Sequence, residues 1–330
     1  DDGNSLCWGA LDREDMPDGK MFDELIAEWA VDQLEEDHDK PFFMAVGFVR
    51  PHVPYTAPKE YFDLYDLDKI VMPEVPDDEM SDIPIMGKSI AYGTIKTGDH
   101  YAVVNLSDSY WREMVLAYLA CVSFVDDQLG KVLNALEDSK YANNTIVVLW
   151  SDHGQHMGEK KHWRKQSLWE ESTQVPLFFS VPGQKKSGQV SNRVVSLLDV
   201  YPTLVDLCGL PKANKLEGQS LAPLIRNPNR KWDKRVLSTW YYGNHAVRSE
   251  HWRYIRYRDG GEELYDHRND PGEFTNLAQN PEYASIIAEH RKSLPQTEVL
   301  PAGTSEWKPD KLDRRIEKWI KNDSIPDWLK

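Results

Sequence analysis

Two uncharged runs of strand length constrain this chain more than any other feature. They are Pro41-Phe42-Phe43-Met44-Ala45-Val46-Gly47-Phe48 and Thr145-Ile146-Val147-Val148-Leu149-Trp150. Neither alternates apolar with polar residues, so neither can leave one face in water; each reads as a strand covered on both faces. A third strand is expected over 175–181, ended by Pro182-Gly183. Helical spacing surrounds these runs. Phe22, Leu25, Ile26, Trp29, Ala30 and Leu34 mark one helix over 21–34, and Trp111, Met114, Val115, Tyr118, Val122, Val125, Leu129 and Val132 mark a long one over 108–138. A further helix is expected over 194–207, interrupted near Tyr201-Pro202. Strand and helix in alternation predict an α/β fold with a mostly parallel sheet flanked by helices.

The pattern changes after about residue 224. Short, closely spaced strands are expected over 236–242, 246–249, 252–257 and 263–265, with Asp259-Gly260-Gly261 as a hairpin turn and a helix near 281–293. This divides the chain into an α/β domain over 1–225 and a smaller antiparallel α+β subdomain over 226–330. Arg248, Trp252, Arg253, Tyr254, Arg256, Tyr257 and Arg258 read as an antiparallel strand with a charged outer face. Residues 56–108, rich in Pro, Asp and Gly, show no sustained periodicity and read as a long surface excursion or a disordered insert.

Composition closes several alternatives. With 40% hydrophobic and 28% charged residues the chain is globular, not disordered. No run reaches the roughly 18–20 apolar residues of a membrane span. A net charge of −15 disfavours nucleic acid, whose binders neutralise phosphates. Cys7, Cys121 and Cys208 have no zinc spacing, and the latter two, in apolar helical patterns, are expected to be buried thiols.

The chemistry is expected after the second run. Ser151-Asp152-His153-Gly154 follows the strand directly, which puts Asp152 and His153 at its carboxyl end, where open α/β sheets place ligands. A carboxylate and an imidazole side by side can hold a metal ion; a capped turn with a surface His reads equally well. Lys160-Lys161-His162-Trp163-Arg164-Lys165 then puts four permanent positive charges into six residues of an acidic chain. Beside a metal, such a cluster would receive a compact oxyanion, and standing alone it reads as a solvated basic loop. His52 sits between Pro51 and Pro54 after the first run, placed to donate a proton or hold an oxyanion, or simply to occupy a loop. His156, His162 and Trp163 are candidates to line the substrate side of a pocket.

Several motifs in order carry a family resemblance. Residues 41–54, Ser151-Asp152-His153-Gly154 with Met157-Gly158-Glu159, His162-Trp163 and Lys165, then Val175-Pro176-Leu177, Leu216-Glu217-Gly218-Gln219-Ser220-Leu221, Glu263-Leu264-Tyr265-Asp266 and Asp270-Pro271-Gly272-Glu273 resemble the sulfatases, most closely their iduronate-2-sulfatase-like branch. The resemblance implies an alkaline-phosphatase-like fold and hydrolysis of a sulfate ester, with a sulfated sugar as partner. It implies one calcium ion held by Asp152 and His153, with Lys165 on the sulfate and the leaving oxygen and His52 as sulfate ligand or proton donor. It also implies a formylglycine nucleophile, made from Cys or Ser. That motif is absent from the sequence: Cys7-Trp8-Gly9-Ala10-Leu11 lacks the required Pro or Ala and Arg, and Asp1-Asp2 has no preceding strand to make it the family's amino-terminal metal pair. The nucleophile is therefore expected on an upstream segment, and the chain is expected to be a fragment, a processed subunit paired with its own amino-terminal chain, or an inactive homologue. A phosphodiesterase or phosphonate hydrolase of the same superfamily, or a non-catalytic binder of sulfated glycan, are the alternative readings. A secreted, periplasmic or lysosomal location follows from the resemblance alone.

Overall fold

A computed structural model describes residues 6–92, 99–105, 107–184, 187–212, 214–325 and 327. The chain groups into two compact units, each assembled from separate stretches: Asp1–Pro73, Tyr101–Ile146 and Val181–Gly183 form the first, and Glu74–His100, Val147–Ser180 and Gln184–Lys330 the second. The division at residue 225 follows strand pattern rather than this grouping, and remains a proposal about organisation.

In the first unit the long helix Tyr110–Asp138 is the organising element. Met114, Ala117, Cys121, Phe124, Gln128 and Val132 recur at intervals of three or four and are buried. Burial pushes the Cys121 thiol up to about 12. Strands β1 (Trp8–Leu11) and β2 (Tyr55–Pro58) pair in parallel, Trp8 opposite Tyr55 and Leu11 opposite Pro58.

Helix Phe22–Glu35 departs from the expected stripe. Ala27, Ala30 and Leu34 pack against Val132 and Tyr141, but Phe22 is 70% and Trp29 50% exposed. Asp23 is buried instead, because its carboxylate accepts hydrogen bonds from the Val49 and Arg50 amides at 2.5 and 3.2 Å. The run 41–48 likewise departs from the expected doubly covered strand. Met44, Val46 and Phe48 pack inward, Phe43 is 80% exposed, and no ladder pairs the run among the described residues. One face packs inward; on the other, Ala45 and Gly47 line an open groove with Phe22, Leu25 and Trp29, and Phe43 is left in water.

In the second unit β3 (Val147–Trp150) and β4 (Leu177–Ser180) pair antiparallel, Val147 opposite Ser180. The helix Val200–Leu207 takes Pro202 in its first turn, where a missing N–H costs nothing, so the expected interruption is the helix start. Cys208, just after it, is exposed and not buried as expected.

The carboxy-terminal sheet follows expectation closely. β5 (Val236–Thr239), β6 (His245–Arg248), β7 (Trp252–Arg256) and β8 (Glu262–Asp266) form an antiparallel meander in that order. Val247, Tyr254 and Leu264 face one core cluster with Ile287, while Ala246, Ile255 and Tyr265 face another. Period-2 alternation thus serves two cores. The charged outer face expected for β7 does not hold at Arg253, which is 2% exposed.

The segment 56–108 is not a surface excursion. Besides β2 it supplies helix Ile85–Tyr92 and helix Asp99–Asn105, and Met80, Ile83, Met86 and Ile90 are all buried in the core of the second unit. Their three-to-four spacing is helical, but Pro84 interrupts it and masks the period. Residues 93–98 and 106 lie outside the described residues. A second unforeseen element, helix Lys311–Asn322, lays Leu312, Ile316 and Trp319 on the same core. Asp310 caps it, accepting from the Leu312 and Asp313 amides at 2.7 and 3.2 Å.

Candidate active site

The turn after β3 is built by close backbone approach. The Gly154 amide donates to the Ser172 carbonyl at 2.9 Å, and a Cβ on Gly154 would collide with the Glu171 carbonyl, so only glycine fits. Asp152 stands out from this turn with its side chain 82% exposed. His153 lies beside it, Nε2 3.6 Å from Asp152 Oδ2, while Nδ1 lies 2.8 Å from the Gly154 carbonyl. That carbonyl only accepts, so Nδ1 carries a proton.

The basic run divides sharply. Lys160 is 2% exposed; its ammonium donates to the Glu273 carbonyl and lies 5.1 Å from the Tyr265 ring centre. The Arg164 guanidinium pairs with Asp99 at 2.5 Å. Lys165 is half-buried. Burial lowers its pKa, Asp152 opposes the shift and Arg164 reinforces it. The Asp152 carboxylate is among the charges that act on the Lys165 ammonium.

Glu79 holds this turn from beneath. Lys160 and Lys161 both adopt left-handed backbone, φ 55° and 49°, which points their successive amides the same way. Both donate to the Glu79 carboxylate, at 2.9 and 3.1 Å. Glu79 is 1% exposed; burial raises its carboxyl to about 7 despite these donors. A second support lies under Glu170. Arg253 donates to Glu273 Oε1 at 2.6 Å and to Glu170, and Arg248 donates to Glu170 at 3.1 Å. Burial raises the Glu170 carboxyl, but the two arginines outweigh it and bring it to about 2.

Glu170, His267 and Glu273 bring three metal-capable atoms together. Arg253 and Arg248 already neutralise this group, so it is an ion-pair network rather than a cation site. Neither Glu79 nor this network was foreseen. Glu79 lay in a segment read as loop, and Glu273 was recognised as part of a motif but given no role.

His156, His162 and Trp163 are enclosed, at 0, 2 and 1% exposure. His156 lies 3.0 Å from both the Glu159 carbonyl and Ser167 Oγ, and burial drives its pKa well down. The His156 and His162 rings meet edge to face at 5.0 Å. In this structure all three form the packed layer under the turn. His52, in the first unit, is exposed; its Nδ1 lies 2.7 Å from the Val53 carbonyl, and Arg50 fastens the same turn through the Thr56 carbonyl and hydroxyl at 2.6 and 2.9 Å. Asp1-Asp2 lies outside the described residues.

The sulfatase family profile matches residues 3–210, well over half the chain. The chain belongs to the sulfatase family. A second profile, described as the carboxy-terminal region of N-sulphoglucosamine sulphohydrolase, matches 158–299 of this sulfatase chain. A sulfatase of Formosa agariphila is 40% identical over 292 residues, covering 88% of this chain and 56% of that protein. A Delta 4,5-hexuronate-2-O-sulfatase of Bacteroides thetaiotaomicron is 32% identical, covering 81% and 59%. The solved structure of a putative sulfatase from the same bacterium superposes with a TM-score of 0.70 at 27% identity, covering 99% of this chain and 72% of that one. The fold is therefore alkaline-phosphatase-like, as the motifs implied. The sulfatase chain spans about half the length of the curated relatives it matches. No described helix is long and apolar enough to cross a membrane.

Whether these residues suit calcium follows from the donor set. Calcium takes about six to eight oxygen ligands. Asp152 offers an exposed carboxylate of the right kind, whereas His153 offers nitrogen, an unusual donor for so hard an ion. The pair would supply at most part of a calcium shell and leave most of it to other oxygen donors.

Proposed function

We propose that the protein containing this chain hydrolyses a sulfate ester on a carbohydrate. The observation that carries this is the sulfatase-family match over residues 3–210, with Asp152 charged and close enough to oppose the desolvation of the Lys165 ammonium. The carbohydrate class rests on relatives such as the hexuronate-2-O-sulfatase.

In this reading Lys165 holds a sulfate oxygen and stabilises charge on the leaving oxygen, which low local dielectric strengthens. Its depressed pKa eases proton donation to that oxygen. The role that the family resemblance gives His52 is sulfate ligand or proton donor. Asp152, with His153 beside it, would hold a calcium ion, which would neutralise sulfate charge when bound. Glu79 and the Arg253 network fix the turn, and His156, His162 and Trp163 support it from below. A formylglycine nucleophile and the remaining metal ligands would come from a segment outside this chain. The uncovered apolar residues Phe43 and Trp29 support such a segment, since 80 and 50% exposure leaves them in water.

The test is Lys165→Ala in the complete reading frame, matured in cells that make formylglycine. Turnover of a sulfated disaccharide is expected to fall about 100- to 1,000-fold, as for removal of one oxyanion donor. Activity within a factor of about three of the parent would defeat the reading. Preference for a phosphate or phosphonate ester over the matched sulfate ester would move the protein to another chemistry.

A further inference from the structure

A small cleft in the second unit is walled by His162 and Arg164, by Trp240 and Tyr241, and by Lys311 and Arg315 of the carboxy-terminal helix. Its enclosed volume is about 20 Å³, enough for one water or one hydroxyl, which need about 10–15 Å³. Three features of its wall point to one kind of ligand.

The first is an orphan acceptor. His162 Nδ1 lies 3.1 Å from the Ala91 carbonyl, so Nδ1 carries the proton. Burial lowers the ring to about 4, which keeps it neutral at pH 7. Nε2 therefore bears a bare lone pair, and it is buried with no partner among the described residues. A buried unmet acceptor costs about 1–3 kcal/mol and calls for a donor. The second is positive charge. The Arg315 guanidinium donates to the Ser89 carbonyl at 2.5 Å and lies over the Tyr92 ring, but no carboxylate pairs with it among the described residues. Lys311 is exposed beside it, while the nearby acids Asp310 and Asp313 are both taken by Arg258 at 2.8 Å. The third is an aromatic wall. Trp240 and Tyr241 meet edge to face at 4.7 Å, and Tyr241 is held in left-handed backbone, φ 54°.

We propose that this cleft is a subsite for an anionic sugar unit of the oligosaccharide. One ring hydroxyl enters the space, and a small turn of the imidazole would bring His162 Nε2, closed to water in this structure, into reach as its acceptor. A sulfate or carboxylate group sits on Arg315 and Lys311, and the apolar face of the ring lies against Trp240 and Tyr241. The ring itself stays at the mouth, because the enclosed space admits only one small group. The subsite adjoins the turn of Lys165 through Arg164, and it rests on the carbohydrate reading given above.

Titration calorimetry of this chain with a heparin-derived tetrasaccharide at fixed salt tests it, with the fully desulfated, carboxyl-reduced tetrasaccharide and inorganic sulfate as controls. The double variant Lys311→Ala, Arg315→Gln should weaken tetrasaccharide binding at least about tenfold, the loss of one to two charge-assisted contacts. Trp240→Ala should weaken both tetrasaccharides. Should Arg315→Gln fail to fold, exposed Lys311→Ala alone should weaken binding about threefold. Tetrasaccharide affinity unchanged in these variants, with melting profiles intact, would overturn the subsite. So would a solved complex with only water at His162 Nε2 and the sugar elsewhere. Lys165→Ala separates the two proposals. If it leaves sulfate-ester turnover intact while the cleft variants lose binding, the catalytic reading fails and the subsite stands; the converse result removes the subsite alone.

Discussion

The turn over 154–165 and the run over 41–49 carry comparable sequence signals, yet the structure treats them in opposite ways. The turn is closed from within its own unit. Glu79 accepts two of its amides, Lys160 plugs into the core, and Arg253 ties Glu170 to Glu273 behind it. The run is closed on one side only, with Phe43 left in water. The difference teaches that a charged segment can be self-sufficient where an apolar one is not. Buried charge is satisfied by a few directed partners, while an apolar face needs a whole surface.

The largest effect should come from breaking the closed region. Arg253→Met leaves the buried Glu273 without its guanidinium and Glu170 with Arg248 alone, and is expected to cost about 3–5 kcal/mol in urea unfolding. A loss under about 1 kcal/mol would mean that the network contributes little to closing the turn.

Glu79→Gln sharpens the same point through pH. The folded carboxyl titrates near 7 against an ordinary 4.5, so between those values the folded state binds more protons than the unfolded one. Stability from this group is full below pH 4.5 and is lost as pH rises through 7, by roughly 3 kcal/mol over the window. Glutamine does not titrate. The variant should therefore gain on the parent by up to about 3 kcal/mol between pH 5 and 8, after losing one acceptor at every pH. A difference that stays flat with pH would show that Glu79 ionises normally.

The open region predicts a smaller and different response. Phe43→Lys should change stability by less than about 0.5 kcal/mol, because the side chain is 80% exposed. It should reduce self-association of this chain, read by sedimentation across a concentration series. A loss above about 2 kcal/mol would mean that Phe43 is covered within the chain. Smallest of all is Lys59→Ala. Its partner Asp63 lies 2.6 Å away, but both side chains are more than half exposed, so no resolvable shift in melting temperature is expected.

Much of the fold was legible because its signals are local. The four-stranded sheet was readable from period-2 alternation and Asp259-Gly260-Gly261, and the long helix from its three-to-four spacing. The segment 56–108 was misread because Pro84 breaks the period linking Ile83 to Met86. At the candidate site the order of strand, Asp152, His153 and basic run was legible. It did not rank the cations, since Lys160, Arg164 and Lys165 look alike in a sequence.

The sequence alone determined that Asp152 and His153 follow a strand end, that a basic run succeeds them, and which sheet faces are apolar. These depend on neighbours a few residues apart. Only the tertiary structure decided that Lys160 is a core residue, that Arg164 belongs to Asp99, and that Lys165 feels Asp152. The reason is that desolvation and ion pairing act between groups that are close in space, and Glu79 reaches Lys160 across 81 residues of chain.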